Sequence, residues 1–277
     1  MPNPFPEPSA DPLEGFDWAA HWRRVIETRH SAAGPRESYW DRRASGFAFA
    51  VRTSDATLPR ALESRLAGHK TLVDVGAGAG RHAAPLADRL DWVTAVEPSQ
   101  GMREMIPARS NMTVVAASWE DAEVAPADLV LCSHVLYGVL DPVPFIEKME
   151  AAARERIFIV MRDRPHRRPP DLVSELLHGR PAPRQVYFND LYNLLRWMGR
   201  DPEVEVEMRR SISRYQDLPA ALDDCRIDAG PQWDESIARA WLEANLQADT
   251  DGSLFYDGGA MVTCVAHWAP PPPGSAP

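Results

Sequence analysis

Five short apolar runs, TLVDVG, WVTAVE, MTVVAA, DLVLCS and RIFIVM, fall between Thr71 and Met161 and are separated by amphipathic stretches. Runs that are apolar at consecutive positions need cover on both faces, which a parallel sheet obtains from the helices that join its strands. RHAAPLADRL, QGMREMI and PVPFIEKMEAAA have the helical spacing to supply that cover. Later, NDLYNLLRWMG and WDESIARAWLEANL read as helices, and EVEVEMRRSI and AMVTCVAHW as strands. The predicted fold class is therefore α/β, a doubly wound parallel sheet with helices on both faces.

A chain of 277 residues suits one large domain with additions. Residues 1–15, with proline at every second position from 2 to 8, and residues 270–277, PPPPGSAP, are too poor in apolar groups to pack and are predicted to be disordered tails. Residues 16–69 break into helical pieces, with Trp18, Trp22, Val25 and Ile26 on one face, and are predicted to form an amino-terminal helical cap. Residues 70–269 then form the α/β domain, within which 162–188 is a candidate substrate-selecting insert.

Composition narrows the function. A net charge of −10 disfavours nucleic acid, whose binding depends on clustered cations that release counterions from phosphates. No apolar run is long enough to cross a bilayer, and MPNPFPEPSADPLEG has neither a basic nor an apolar leader region, so no membrane partner and a cytoplasmic location are expected. Cys132, Cys225 and Cys264 form no C-x-x-C pair and read as buried small residues rather than a disulfide or zinc framework. RDRPHRRPP, residues 162–170, is either a solvated loop or, through Arg164 and Arg167, a grip on an anionic small substrate.

DVGAGAG, Asp74 to Gly80, ends the first apolar run. Ligands of such sheets bind at the carboxyl ends of the strands, and glycines there let the main chain come close to a cofactor. A dinucleotide fingerprint would need a third glycine where Arg81 stands; the pattern is G-x-G-x-G. Arg81 opens a helix and is expected to face solvent or else to pair with a carboxylate. Glu97 closes the second strand, about twenty residues after the turn, where an acid holds ribose hydroxyls. After the third strand, Ser118, Trp119, Glu120 and Asp121 suit either an adenine edge and face or, for Trp119, the core.

DVGAGAGR, VEPSQGM, ASWED and DLVLCSHVLYGV, in this order, resemble the successive motifs of class I S-adenosylmethionine-dependent methyltransferases. The resemblance covers Thr71 to Met161. It implies a Rossmann-like, seven-stranded sheet whose last strand is inserted antiparallel, and S-adenosylmethionine as cofactor. It further implies that Asp74 and the main chain of Gly76, Ala77, Gly78 and Gly80 surround the methionine part, and that Glu97, followed by Pro98, takes the ribose. Met102 would pack on the adenine, Ser118, Trp119 and Glu120 would border its edge, and Cys132 and Ser133 would lie near the sulfonium. The Lys-Pro-Gly-Gly turn common before the fifth strand of this superfamily is missing.

Methyl transfer needs a nucleophile held in line, exclusion of water and, for a protonated nucleophile, a base. His134, with Tyr137 a turn later, is the candidate base; its other reading is structural. Tyr39 and Trp40, with Phe47 and Phe49, form either a lid over the cofactor or plain packing. The fourth strand is followed neither by Asn/Asp-Pro-Pro-aromatic nor by Pro-Cys, which argues against adenine, glutamine and cytosine methylation of the best-known kinds. A small-molecule methyl acceptor is the leading expectation, against RNA or protein methylation or a non-catalytic cofactor-binding regulator. No metal-ligand cluster is evident.

Overall fold

The structure is a computed structural model that describes residues 15–33, 37–53 and 58–272. The tail expectations thus fall on residues that, for 1–14 and 273–277, lie outside the described ones. Helices α1 (Trp18–Ala33), α2 (Glu37–Thr53) and α3 (Arg60–Glu63) precede strand β1 (Thr71–Val75). Then come α4 (Ala83–Ala87), β2 (Trp92–Val96), α5 (Gln100–Glu104), β3 (Met112–Val115), β4 (Ala127–Ser133), α6 (Pro142–Ala152) and β5 (Ala153–Arg162). The remainder is α7 (Pro169–His178), α8 (Phe188–Trp197), β6 (Glu203–Tyr215), α9 (Leu218–Ala229), α10 (Glu235–Asn245), β7 (Gln247–Ala248) and β8 (Leu254–Trp268).

The sheet has eight strands in the order β3-β2-β1-β4-β5-β8-β6, with the two-residue β7 on β8. The first five are parallel, and β8 lies antiparallel between β5 and β6. The inserted last strand is as the sequence suggested; the eighth strand is the small addition β7.

The consecutive apolar residues divide between two cores because successive side chains on a strand point to opposite faces. Val73, Val75, Ile157 and Ile159 face one core, which also holds Trp22, Ile26, Ile146, Met149, Leu191 and Leu194 from α1, α6 and α8. Leu72, Leu129, Leu131 and Phe158 face the other, closed by Leu62 of α3 and Leu86 of α4. All three cysteines are buried and free.

Two features place material over the carboxyl ends of the parallel strands. Arg162, the last residue of β5, pairs with Thr263, so the part of β8 before Thr263 continues with β6 and the short β7, beyond the end of β5. Val173, Tyr215, Ala221, Leu222, Cys225, Ala238 and Leu242 make a separate small core, drawn from α7, the end of β6, α9 and α10. The second feature is α2. Its buried Arg43 reaches Asp228 at 2.9 Å and Asp224 at 3.3 Å, and the Tyr39 hydroxyl donates to Asp228 at 3.2 Å, tying α2 to α9.

Within residues 16–69, α2 is tied to α9 while α1 packs into the main core. Trp22 of α1 is fully buried in the main core and its indole N–H donates to the Val139 carbonyl at 2.8 Å. Removing that ring would cost about 3–5 kcal/mol, so α1 is part of the foundation of the sheet. The insert after β5 contains α7, and α9 fills a stretch to which no element was assigned from sequence. Both begin with a helix-start signal, proline in the first turn, and Asp217 caps α9 by accepting from the Ala220 amide at 2.9 Å.

Candidate active site

The turn after β1 is built on three glycines in the left-handed region, Gly76 at φ 68°, Gly78 at 56° and Gly80 at 81°. The Gly76 and Ala77 amides both donate to the Val96 carbonyl, at 2.8 and 3.0 Å, which folds the turn back over the end of β2. A Cβ on Gly76 would lie 2.4 Å from Val135 Cγ2, and one on Gly80 would lie 3.1 Å from Ile106 Cγ2. At Gly78 the neighbour is Phe47 of α2, at 3.4 Å from the same hypothetical atom.

Glu97 lies against this turn. It is 6% exposed, and its two carboxylate oxygens accept from the Gly78 and Ser99 amides, each at 2.8 Å. Burial raises its pKa, partly offset by those two hydrogen bonds and by Arg103. Asp74, 2% exposed at the end of β1, is pushed up to about 7 by burial and then by the charge of Glu97. Pro98 is exposed.

Asp41, from α2, completes the start of α5: it accepts from the Ser99 hydroxyl at 2.6 Å and from the Gly101 amide at 2.9 Å. A Cβ at Gly101 would meet Ala44 at 3.1 Å, so the glycine is what lets α2 lie this close. Met102, expected against an adenine, is buried here with Ala44, Ala48 and Ala79. The aromatic group Tyr39, Trp40, Phe47 and Phe49, expected to be either a lid or plain packing, is divided. Tyr39 anchors α2 to α9, Trp40 is 44% exposed, and Phe47 is the ring that meets the turn.

Trp119 takes the core role. Its indole N–H donates to the Phe145 carbonyl at 3.1 Å, and the buried ring packs in the main core rather than offering a face to a base. Ser118 accepts from and donates to Asp121 in a local turn, and Glu120 is exposed.

At the end of β4 the chain makes a second close turn. Cys132 is buried, and burial followed by the Asp74 charge raises its thiol pKa. The Ser133 hydroxyl faces His82 Nε2 at 3.2 Å, a partner that sequence reading did not single out. His134 has φ 61°, unusual for a residue with a side chain, and its amide donates to the Val160 carbonyl at 2.9 Å. His134 Nδ1 lies 3.1 Å from the Tyr137 hydroxyl, and that hydroxyl accepts from the Arg162 amide at 2.7 Å. The Arg162 guanidinium sits over the Tyr137 ring, 5.0 Å from its centre.

This corner is hostile to an added positive charge. Burial first, then Arg162, His82 and Arg81, drives the His134 pKa well below its ordinary value. Burial and Arg81 push His82 down to about 3, and burial and Arg162 push His166 down to about 4. A general base works best when its pKa lies near the operating pH, so this environment opposes His134 in that role. Tyr137 is shifted up by burial.

The arginines of residues 162–170 are sorted by the structure. Arg164 and Arg167, the two expected to grip substrate, have side chains 70% and 66% exposed and pair with Asp163 and Glu175 on the surface. Arg168 points into the α7–α9 network, bonding Asp171 at 3.0 Å. Arg162, which no sequence signal distinguished from its neighbours, is the one beside His134 and Tyr137.

A glycine turn after β1, an acid after β2 and an antiparallel strand between β5 and β6 are the features that the sequence resemblance implied for the fold. Residues 73–159, under a third of the chain, match a family model described as a methyltransferase domain. A crystal structure from Anabaena variabilis, of a protein assigned as a methyltransferase from an antibiotic biosynthesis pathway, is similar with a TM-score of 0.52 at 16% identity, over 77% of this chain and 99% of that one. Magnesium protoporphyrin IX methyltransferase of Synechocystis with bound SAH gives a TM-score of 0.43 at 15% identity, over 91% of this chain and 94% of that one. An uncharacterized protein of Haemophilus influenzae is 33% identical over 99 residues, 32% of this chain and 36% of that protein's length. The chain thus matches about a third of that curated relative.

Three features of the site suit S-adenosylmethionine, the cofactor that the sequence resemblance implies. The three positive-φ glycines keep side chains away from the turn, and Gly78 meets only Phe47 above it. Asp74 is a buried carboxyl whose pKa is raised by burial and by Glu97, and the cofactor's ammonium would favour its charged form. Both oxygens of Glu97 retain acceptor capacity for ribose hydroxyls beyond their amide bonds. The residues fit. Among the described residues no cluster of His, Cys, Asp and Glu could hold a metal ion, and no described helix is long and apolar enough to cross a membrane.

Proposed function

We propose that the protein transfers a methyl group from S-adenosylmethionine to a small-molecule acceptor held between the strand ends and the cap formed by α2, α7, α9 and α10. The carrying observation is Glu97, fixed by the Gly78 amide so that turn and acid form one unit. Glu97 binds the ribose hydroxyls, Asp74 and the turn amides orient the amino-acid end, and Phe47 closes the turn from above. When bound, the cofactor supplies a methyl group already activated on a sulfonium. The chain's own residues then position the acceptor and exclude water, which in ideal intramolecular cases contributes on the order of 7–11 kcal/mol.

The cap supports a small acceptor over a macromolecular one: α2 is tied to α9 across the end of the sheet, and the net charge is −10. Calorimetry provides the test. The full chain should bind S-adenosylmethionine and S-adenosylhomocysteine but not NAD, and Glu97→Gln should weaken both by about 1.5–3 kcal/mol, the worth of hydrogen bonds to a charged group. Equal affinity in the Gln variant, or binding of NAD instead, defeats the reading.

A further inference from the structure

Two guanidiniums at the strand ends differ from the other arginines described above. Arg81 follows the glycine turn directly and is partly buried, yet among the described residues it has no hydrogen-bond, ion-pair or ring partner. Arg162 ends β5, partly buried, and stacks on Tyr137 with no carboxylate partner among the described residues. Elsewhere the acids are spent on other cations: Asp163 on Arg164, Glu207 on Arg209, Asp171 and Asp228 on Arg168, Asp224 on Arg43. Arg81 contributes no nitrogen to the buried, unsatisfied atoms of the described residues, so its guanidinium stays open to water and to an incoming anion.

The geometry brings both arginines to one corner of the strand ends: Arg81 directly precedes His82, whose ring meets the Ser133 hydroxyl, and Arg162 lies over Tyr137, whose hydroxyl meets His134, the residue after Ser133. Neither the His134–Tyr137 pair nor the His82–Ser133 pair carries a carboxylate. His166, whose ring contacts Ser211 on the projecting β6, closes the cluster from the cap side.

We infer that the methyl acceptor is a small organic oxyanion, a carboxylate or a phosphate, gripped by Arg81 and Arg162 beneath the cap. The inference rests on the methyltransferase reading of the same cleft and names its substrate class. The exposed arginines Arg164 and Arg167 have no part in it.

The test compares matched probes on the full chain saturated with S-adenosylhomocysteine. Indole-3-acetate, 4-hydroxybenzoate and hexanoate are titrated beside their primary amides, and phenyl phosphate beside phenol, which separates carboxylate from phosphate. At least one anion should bind about tenfold or more tighter than its neutral partner, the range for a hydrogen-bonded charge. Arg81→Gln and Arg162→Gln should each remove that preference, Arg162→Lys should restore part of it, and all three should hold S-adenosylhomocysteine within about twofold of the parent, a change below the worth of one such bond. Neutral probes binding as well as anions, no probe binding at all, or a preference untouched by both Gln variants overturns the inference. Failure of the parent to bind S-adenosylhomocysteine defeats the cofactor reading instead, and the same titrations on the unloaded chain then decide the anion site alone.

Discussion

Gly76→Ala separates backbone strain from steric conflict at the base of the cofactor turn. The residue has φ 68°, and a left-handed conformation costs an L-residue about 1–2 kcal/mol. The new Cβ would also lie 2.4 Å from Val135 Cγ2, about 1 Å inside ordinary contact, and overpacking of this kind costs about 1–3 kcal/mol. The expected loss is therefore about 2–5 kcal/mol, at about 2–4 °C in Tm for each kcal/mol. At Gly78 the same substitution meets Phe47 at an ordinary 3.4 Å, so strain alone, about 1–2 kcal/mol, should appear. Urea denaturation of Gly76→Ala, Val135→Ala and the double variant measures the steric part directly. Because Val135→Ala removes both methyl groups that face the new Cβ, the double variant should be more stable than the sum of the single losses by about 1–3 kcal/mol. Strict additivity would show that the turn yields without touching Val135, and the proposed rigidity of the cradle would fail.

Two further expectations concern charge. The unfolded Asp74 titrates near the ordinary 3.8 and the folded one near about 7, so the native state binds the proton more tightly. Its contribution to stability is complete below pH 4 and is lost as pH rises through 7, by roughly 4 kcal/mol in all. The urea midpoint of Asp74→Asn should lack that decline, and a variant with the parental pH dependence would contradict it. For His134, ring nitrogen shifts followed by NMR should show no titration between pH 5 and pH 8, since burial, Arg162 and Arg81 oppose the imidazolium. His134→Gly should relieve the positive φ and still fold. An imidazole that titrates near pH 7 would restore His134 as a base.

The sheet was legible because its signal is local. Runs apolar on both faces, spaced by amphipathic stretches, fix strand and helix wherever such a chain folds, and the parallel strands appear where TLVDVG, WVTAVE, MTVVAA, DLVLCS and RIFIVM fall. The glycine turn and Glu97 were legible for a related reason: steric limits on φ and the spacing of one βαβ unit act over a few dozen residues. Helices α7 and α9 were missed although Pro169, Asp217 and Pro219 carry start signals. Arginine and proline density in residues 162–170 was read as loop, and the short α9 lacks a strong apolar stripe of its own.

What the sequence by itself determined is thus the class of fold, the position of the turn and the acid that accompanies it. Tertiary structure alone decided which of four arginines in residues 162–170 lies beside His134 and Tyr137, because that depends on where β5 stops against β8 at the Arg162–Thr263 pair. It likewise decided that Phe47 covers the turn, that Tyr39 is an anchor and that His82 faces Ser133. Each of these is a contact between segments far apart in the chain, and no spacing rule within one segment encodes the packing that brings them together.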